Sequence, residues 1–293
     1  MQKISPYLWF DNNAKEAVDF YVKIFPKSKI NSEHTYKNSG PNSDMDVYTV
    51  DFNLNGFQFM AMNAGPDFKF TPAISFFVTC KTTKEVDELF EKLSSDGGSV
   101  LMALGKYPFS EKYAWVNDRF GVSWQLFMGE NKQKIMPAML FTQDKFGMLE
   151  EAMDFYTDVF EKGSVNQTSR YGDEEPTQKG KIMYAHFTLD GVDFVAMESN
   201  KQHPFTFNEA VSLYIKCKDQ TEVDYFWEKL TDGGQEQPCG WVKDKYGVSW
   251  QIVPEQLDKL MRTDEPGSAR AMAAMMQMQK LDIQQLQDAY DGK

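Results

Sequence analysis

Residues 115–125 read WVNDRFGVSWQ, and residues 241–251 read WVKDKYGVSWQ. Eight of the eleven positions are identical, and the other three keep polar or aromatic character. The first stretch is typical of two short strands joined by a turn at Asp118–Gly121. A motif of this length that occurs twice in one chain indicates an internal duplication.

Two further pairs of stretches extend the duplication over most of the chain. EAVDFYVKIF (16–25) returns as EAMDFYTDVF (151–160), and EVDELFEKL (85–93) returns as EVDYFWEKL (222–230). The three pairs keep their order at offsets of 135, 137 and 126 residues. Such a long period corresponds to a whole domain, so we predict two similar lobes related by a pseudo-twofold axis, a pseudo-dimer within one chain.

Strand and helix patterns alternate within each repeat. Residues 4–10 form an apolar run typical of a strand, and residues 14–25 place apolar side chains on one helical face. Residues 49–54 alternate apolar and polar side chains, and Asn55-Gly56 then predicts a hairpin turn. The matching place in the second repeat has Asp190-Gly191, which predicts the same turn.

Capping residues predict where the helices begin. Asn13, Thr82 and Asp219 each stand three residues before a glutamate, the spacing of a capping box. The predicted element order is β-α-β-β-β, and each repeat contains this order twice. Helices on one face of a mainly antiparallel sheet indicate an α+β fold.

Charge and composition exclude several classes of protein. The chain has 293 residues, a net charge of −12 and a pI near 4.8, so we expect neither nucleic acid nor an anionic membrane as a partner. No apolar run is long enough to span a bilayer, and the N-terminus shows no export signal. Three widely spaced cysteines favour neither disulfides nor a zinc site, which predicts a cytoplasmic protein.

The motifs resemble those of a known family. The EAxDFY helix, the DRFGVSWQ and DKYGVSWQ turns and the run GWVKDKYGVSWQIVP (240–254) are similar to PhnB-like domains of the vicinal oxygen chelate superfamily, often labelled 3-demethylubiquinone-9 3-methyltransferase domains. The resemblance implies two glyoxalase-like lobes, each of two βαβββ modules curled into a cup. It also implies a divalent ion held by inward-facing strand residues.

The residues disagree with two implications of the resemblance. No Gly-rich loop follows the first strand of either repeat, so we expect no methyltransferase activity. The family's four metal positions fall approximately on Pro6, Asp51, Ala73 and Gln125 in one repeat, and on Pro137, His186, Ala210 and Gln251 in the other. Proline, alanine and a neutral amide are poor ligands, so we expect no tightly bound metal and no cofactor.

Strand alternation supplies candidate residues that line the cups. A serine beside an inward glutamine could orient a polar ligand, or the amide could be satisfied by a neighbouring strand. A solvated carboxylate and a hydrogen-bonded structural histidine are the plainer interpretations of Asp51 and His186, although a site between the lobes could use both. The candidate cup-lining residues are Asp51, Ser75, Ser123, Gln125, His186, Ser212, Ser249 and Gln251.

The chain after the second repeat predicts a helical tail. We place the first domain at 1–130, the second at 135–254 and the tail at 255–293. TDEPG (263–267) breaks the chain, and Ser268 and Asp282 are candidate caps for two helices. A stripe of methionines in this tail suits packing across the two lobes, with a partner-binding helix as the alternative.

Three functions remain open on the sequence alone. The first is a small-molecule binding protein without a strong metal site and with an unknown ligand. The second is a glyoxalase-like or dioxygenase-like metalloenzyme. The third is a structural or interaction module whose cups are filled, and association into a further homodimer is compatible with all three.

Overall fold

The structure is a computed structural model that describes residues 2–36, 46–261 and 266–293. Within these residues the chain forms two eight-stranded sheets, which are not closed, and seven α-helices. Five of the seven strand pairings in each sheet are antiparallel. The predicted α+β fold is confirmed.

The first repeat contains two modules. The first module comprises β1 (Ile4–Phe10), α1 (Ala14–Ile24), β2 (Lys29–Tyr36), β3 (Val47–Leu54) and β4 (Phe57–Asn63). The second module comprises β5 (Ile74–Cys80), α2 (Thr83–Ser94), β6 (Ser99–Tyr107), β7 (Ser110–Asn117) and β8 (Ser123–Met128).

The second repeat has the same order and is followed by the tail. Its first module comprises β9 (Ile135–Phe141), α3 (Leu149–Val159), β10 (Ser164–Arg170), β11 (Ile182–Leu189) and β12 (Val192–Glu198). Its second module comprises β13 (Val211–Cys217), α4 (Gln220–Thr231), β14 (Gln235–Glu236), β15 (Trp241–Lys243) and β16 (Ser249–Pro254). The tail comprises α5 (Glu255–Met261), α6 (Pro266–Met275) and α7 (Ile283–Asp291).

Each sheet combines one module from each repeat. Sheet A has the strand order β14-β15-β16-β13-β1-β4-β3-β2, and sheet B has the order β10-β11-β12-β9-β5-β8-β7-β6. An antiparallel seam joins the modules in each sheet, between β1 and β13 in sheet A and between β5 and β9 in sheet B. The boundaries 1–130 and 135–254 therefore describe sequence repeats, and their role as domains stays a prediction.

The helices of the four modules lie in one core between the two sheets. α1 and α4 pack on sheet A, and α2 and α3 pack on sheet B. The helix-facing side chains of both sheets belong to one contiguous apolar cluster. We call the helix-facing side of each sheet its inner face and the other side its outer face.

A buried carboxylate connects the two sheets in each repeat. The Asp118 Oδ2 atom, in the turn before β8 of sheet B, accepts hydrogen bonds from the Tyr21 hydroxyl of α1 at 2.7 Å and from the Trp124 indole at 2.8 Å. Its Oδ1 atom accepts hydrogen bonds from the backbone N–H groups of Phe120 and Val122. These residues are the recurrent motifs of the sequence, so the repeated residues hold one sheet against the other.

The second repeat forms the same network. The Tyr156 hydroxyl and the Trp250 indole donate to Asp244 Oδ2 at 2.7 and 2.8 Å. Because Tyr156 lies on α3 of sheet B and Asp244 lies in sheet A, the two networks cross between the sheets in opposite directions.

Most local predictions agree with the structure. Asn55 and Asp190 have φ angles of 51° and 45°, which the left-handed hairpin turn requires. Thr82 and Asp219 accept hydrogen bonds from the backbone N–H groups of Glu85 and Glu222, as predicted.

Two cap predictions are wrong. The side chain of Asn13 makes no cap hydrogen bond, and the Ala14 N–H at the start of α1 bonds to Asn63 Oδ1 of β4 at 2.7 Å. α6 begins at Pro266, so Ser268 lies inside the helix and does not cap it. Asp282 does cap α7, and residues 263–265 of the predicted chain break lie outside the described residues. No helix in the described ranges has the length and apolarity needed to cross a bilayer.

Replacing Tyr21 by phenylalanine tests the connecting network. A hydrogen bond to a charged group contributes ~1.5–3 kcal/mol, so we expect Tyr21→Phe to lower the free energy of unfolding by ~2 kcal/mol at pH 7.5, measured by urea denaturation. Tyr156→Phe should have a similar effect. The control is Tyr48→Phe, whose hydroxyl donates to the exposed Glu33, and which we expect to cost less than ~0.5 kcal/mol. Equal losses in all three variants would contradict this role.

The pH dependence of stability provides a second test. Burial raises the pKa of Asp118 to about 6, although its hydrogen-bond donors favour the ionised carboxylate, whereas an unfolded aspartate titrates near ~3.9. Proton binding therefore stabilises the fold below about pH 4, and this contribution of ~3 kcal/mol is lost as the pH rises through about 6. The free energy of unfolding of the wild type should fall over this range relative to Asp118→Asn. Parallel pH profiles would refute the assignment.

Candidate functional site

The predicted cups correspond to the outer faces of the two sheets. All eight candidate side chains lie on these faces, because they alternate with strand neighbours that pack in the inner core. Asp51, Ser212, Ser249 and Gln251 lie on sheet A, whereas Ser75, Ser123, Gln125 and His186 lie on sheet B. Each outer face therefore takes candidates from both repeats.

The Gln125 amide is held at both ends on the outer face of sheet B. The Tyr113 hydroxyl donates to Gln125 Oε1 at 2.6 Å, and Gln125 Nε2 donates to Ser75 Oγ at 2.9 Å. On the same face the Trp115 indole donates to Ser123 Oγ at 2.8 Å. All three bonds link strands of sheet B, so the amide forms a fixed polar floor whose groups already have partners.

The corresponding residues of sheet A are only partly paired. Gln251 Nε2 donates to Ser212 Oγ at 2.9 Å, as in the first repeat. Ser249 Oγ, however, is buried and has no hydrogen-bond partner among the described residues. Trp241, the counterpart of Trp115, lies edge-on against Trp9, with ring centroids 6.0 Å apart.

The outer face of sheet B presents an apolar surface that strand alternation identified only in part. Its buried members are Phe77, Tyr113, Met136, Ala138 and Val195. Partly exposed side chains surround them: Met102, Tyr107, Trp115, Phe127, Tyr184 and Met197. We call this surface, together with the Gln125 network, the open face, because no described residue of α5, α6 or α7 belongs to its cluster.

The tail covers the outer face of sheet A, which we call the closed face. Leu260, Met261, Ala271, Leu281 and Leu286 of the tail are buried in one cluster with side chains of the sheet. The tail packs on one sheet but contacts residues of both repeats, so the predicted packing across the two lobes is confirmed. The partners from the sheet are Tyr7, Met62, Tyr214 and Val253.

Asp51 and His186 are not brought together. Asp51 lies on the closed side of sheet A, where it accepts hydrogen bonds from the amides of Asn31 and Gln58 at 3.1 Å. His186 lies on sheet B, with its Nε2 atom 3.6 Å from Asp193 Oδ2. The shared core separates the two outer faces, so the predicted site between the lobes is wrong.

The predicted metal positions need a further correction, because several point to the inner core. Pro6 has the same orientation as Ile4 and Leu8, which pack against the helices, and Ala73 belongs to the same core. Pro137 likewise alternates with outward Met136. Six of the seven residues of β1 are buried, so hydropathy alternation could not fix the orientation of its side chains.

The residues at the centre of each outer face do not fit a divalent ion. In the open face the four central strands present Val195, Ala138, Ser75 and Gln125 to one another. In the closed face the same positions are filled by Met60, Tyr7, Ser212 and Gln251. Neither set contains a carboxylate, imidazole or thiolate. Across residues 2–36, 46–261 and 266–293, no three His, Cys, Asp or Glu side chains converge on one point.

Two of the three cysteines do not supply a reactive group. Cys80 and Cys217 are buried, and burial raises the pKa of each thiol to about 12. Both thiols are therefore protonated at neutral pH. Outside the two faces, a surface cavity of about 500 Å³ is lined by Gln143, Asn200 and the 201–204 loop.

Comparisons with known proteins agree with this architecture. A family model described as 3-demethylubiquinone-9 3-methyltransferase matches residues 2–127 and again residues 133–253. A solved structure of a putative 3-demethylubiquinone-9 3-methyltransferase, a PhnB protein from Bacillus cereus, is 44% identical over 44% of this chain and 100% of its own, with a TM-score of 0.40. No curated protein matches the sequence.

Two solved structures align with most of the chain. Glyoxalase I from Zea mays is 12% identical over 85% of this chain and 90% of its own length, with a TM-score of 0.58. A putative dioxygenase from Bacillus subtilis is 13% identical over 97% of this chain and 94% of its own, with a TM-score of 0.49. The similarity to glyoxalase I concerns the fold alone, and it confirms the predicted pair of glyoxalase-like lobes.

A metal titration tests the donor set at the face centres. We expect calorimetry with Ni²⁺, Zn²⁺ or Mn²⁺ to reveal no micromolar binding, because serine and amide oxygens alone hold these ions weakly. Micromolar binding that disappears in Asp51→Ala or in His186→Ala would overturn the geometry described above.

Proposed function

Because this chain belongs to the family described as 3-demethylubiquinone-9 3-methyltransferase, the PhnB-like branch of the vicinal oxygen chelate superfamily, we propose that it binds a small organic molecule on the open face without a strong metal site. The observation that carries the proposal is the apolar surface that the tail leaves uncovered. A contiguous, partly exposed apolar surface on a folded chain is typical of a binding site.

The chemistry of the open face suggests the class of ligand. Aromatic rings and methionine side chains supply flat, adaptable apolar contact. The Trp115 indole and the Tyr113 hydroxyl donate hydrogen bonds to side chains of β8, and these bonds fix the geometry of the polar floor. We infer a flat, mainly apolar ligand without negative charge, since the chain carries a net charge of −12.

Binding is favoured over the two other functions considered. The centres of both faces lack the carboxylate and imidazole donors on which a metalloenzyme would depend. The filled-cup interpretation describes the closed face, where the tail occupies the surface, but it leaves the partly exposed Phe127, Tyr184 and Met197 without a role.

Methyl transfer is not part of the proposal. A typical methyltransferase binds its cofactor at a Gly-rich loop after the first strand of a parallel sheet. Here residues 11–13, between β1 and α1, contain no glycine, and the sheet is mainly antiparallel. A cytoplasmic location and association into a homodimer stay predictions alongside the binding function.

A fluorescent probe allows the proposal to be tested before the ligand is known. N-phenyl-1-naphthylamine is flat, mainly apolar and uncharged, and it becomes fluorescent in apolar surroundings. We expect it to bind the wild type, with Met197→Glu weakening the affinity at least ~10-fold, or ~1.4 kcal/mol, because a carboxylate beside an apolar ligand must be desolvated.

The matched control is Met183→Glu. Met183 lies on β11 next to the open face, is 41% exposed and belongs to no apolar cluster of the sheet. This variant should bind the probe within about twofold of the wild type, since the same charge is then added outside the surface. No probe binding by the wild type, or equal losses in both variants, would argue against the open face as the binding site.

A further inference from the structure

We propose that the C-terminal tail acts as a built-in occupant of a second, latent ligand site on the closed face, so that the chain binds one ligand per molecule and releasing the tail creates capacity for two. This inference rests on the proposed function, since it assigns the same kind of ligand to both faces. The two faces occupy equivalent places in the duplicated fold, yet the helices of the tail cover one of them and, among the described residues, leave the other open.

The apolar contacts place the tail where a ligand would lie. Met62 of β4 is 8% exposed beneath the tail, whereas Met197, its counterpart in β12, is partly exposed on the open face. The central Ser212–Gln251 pair beneath the tail repeats the Ser75–Gln125 pair of the open face at the same 2.9 Å. The tail therefore lies over a floor that has the same polar groups as the proposed binding site.

A difference between the repeats explains why the tail lies on this face. β6 spans nine residues, but its counterpart β14 spans two. The space at the edge of sheet A is taken by the tail, whose backbone carbonyls at Met278 and Gln279 accept the N–H groups of Cys239 and Gly240 at 2.8 and 2.7 Å. On the open face the longer β6–β7 hairpin occupies the corresponding edge.

Gly240 lies between β16 and the tail. Its φ angle is 82°, a conformation that favours glycine, and a Cβ atom there would lie 2.8 Å from the Ile252 carbonyl oxygen and 3.1 Å from the side chain of Leu281. The backbone of β16 therefore excludes a side chain at this turn, and the tail packs closely beside it.

An unpaired hydroxyl provides an independent sign of a site under the tail. Ser249 is fully buried, and its Oγ atom has no partner among the described residues. Its counterpart Ser123 accepts a hydrogen bond from the Trp115 indole. Trp241, the counterpart of Trp115, packs against Trp9 within the cluster that contains the tail. A buried hydroxyl without a partner is costly, and a ligand with a polar group could satisfy it once the tail leaves.

Polar and apolar contacts both attach the end of the tail to the second repeat. The Gln220 side chain bonds to Leu281 O and Ile283 N at 3.1 and 2.9 Å, and Lys280 pairs with Asp224 at a partly exposed site. Leu286 of α7 is 1% exposed and belongs to the apolar cluster that joins the tail to sheet A. A single charge at this position should therefore release the tail.

The experiment compares Leu286→Glu with Gln287→Glu in the full-length chain. Gln287 is exposed on the same helix, so both variants add one charge to α7 but only the first places it in the apolar contact. Hydrogen exchange of the α7 amides should accelerate at least tenfold in Leu286→Glu alone. Titration with N-phenyl-1-naphthylamine should give one equivalent for the wild type and for Gln287→Glu, and two for Leu286→Glu.

Several outcomes overturn the inference. Two equivalents in the wild type, or one equivalent in Leu286→Glu despite fast exchange of α7, would contradict a latent site. If Leu286→Glu does not fold, Leu286→Ala provides the same comparison, with faster exchange confined to the tail and a second, weaker equivalent expected. Unfolding of the whole chain in Leu286→Ala would show that the tail is an inseparable part of the core.

Failure of the proposed function has a different signature. If the open face does not bind, the wild type takes up no probe, but Leu286→Glu still gains one equivalent. That result would keep the latent site and remove the open-face site.

Discussion

The antiparallel seams between β1 and β13 and between β5 and β9 are the constraint on which the molecule depends. Each seam joins a module of one repeat to a module of the other, so neither sheet is complete without both repeats. The Tyr21–Asp118 and Tyr156–Asp244 bonds then tie each repeat across the two sheets. The result is one shared core with two outer faces that are related by the duplication.

A difference between the repeats distinguishes these two faces. β14, the counterpart of β6, is short, and the helical tail fills the space at this edge through apolar packing and two backbone hydrogen bonds. The other face keeps its long hairpin and its partly exposed aromatic surface. A duplicated fold can in this way leave one face open while using the other to anchor the end of the chain.

Much of this architecture could be predicted from the sequence, because the repeated residues are the ones that hold the fold together. The hairpin turns and two helix caps follow from local chemistry at Asn55-Gly56, Thr82 and Asp219. The exchange of modules could not be predicted, since the two repeats are similar and either partner offers the same kind of apolar edge. The predicted orientation of the Pro6 side chain was wrong because β1 is apolar on both faces. The position of the tail could not be predicted, since it depends on tertiary contacts that no local sequence pattern encodes.

The most direct test of this account is a crystal structure of the protein with N-phenyl-1-naphthylamine bound at saturation. The account predicts one probe molecule per chain, packed against Phe77, Phe127 and Met197 on the outer face of sheet B, with the tail still in place on sheet A. A probe molecule bound instead in the cavity beside His203, or coordinated through an ion at the centre of either face, would contradict it.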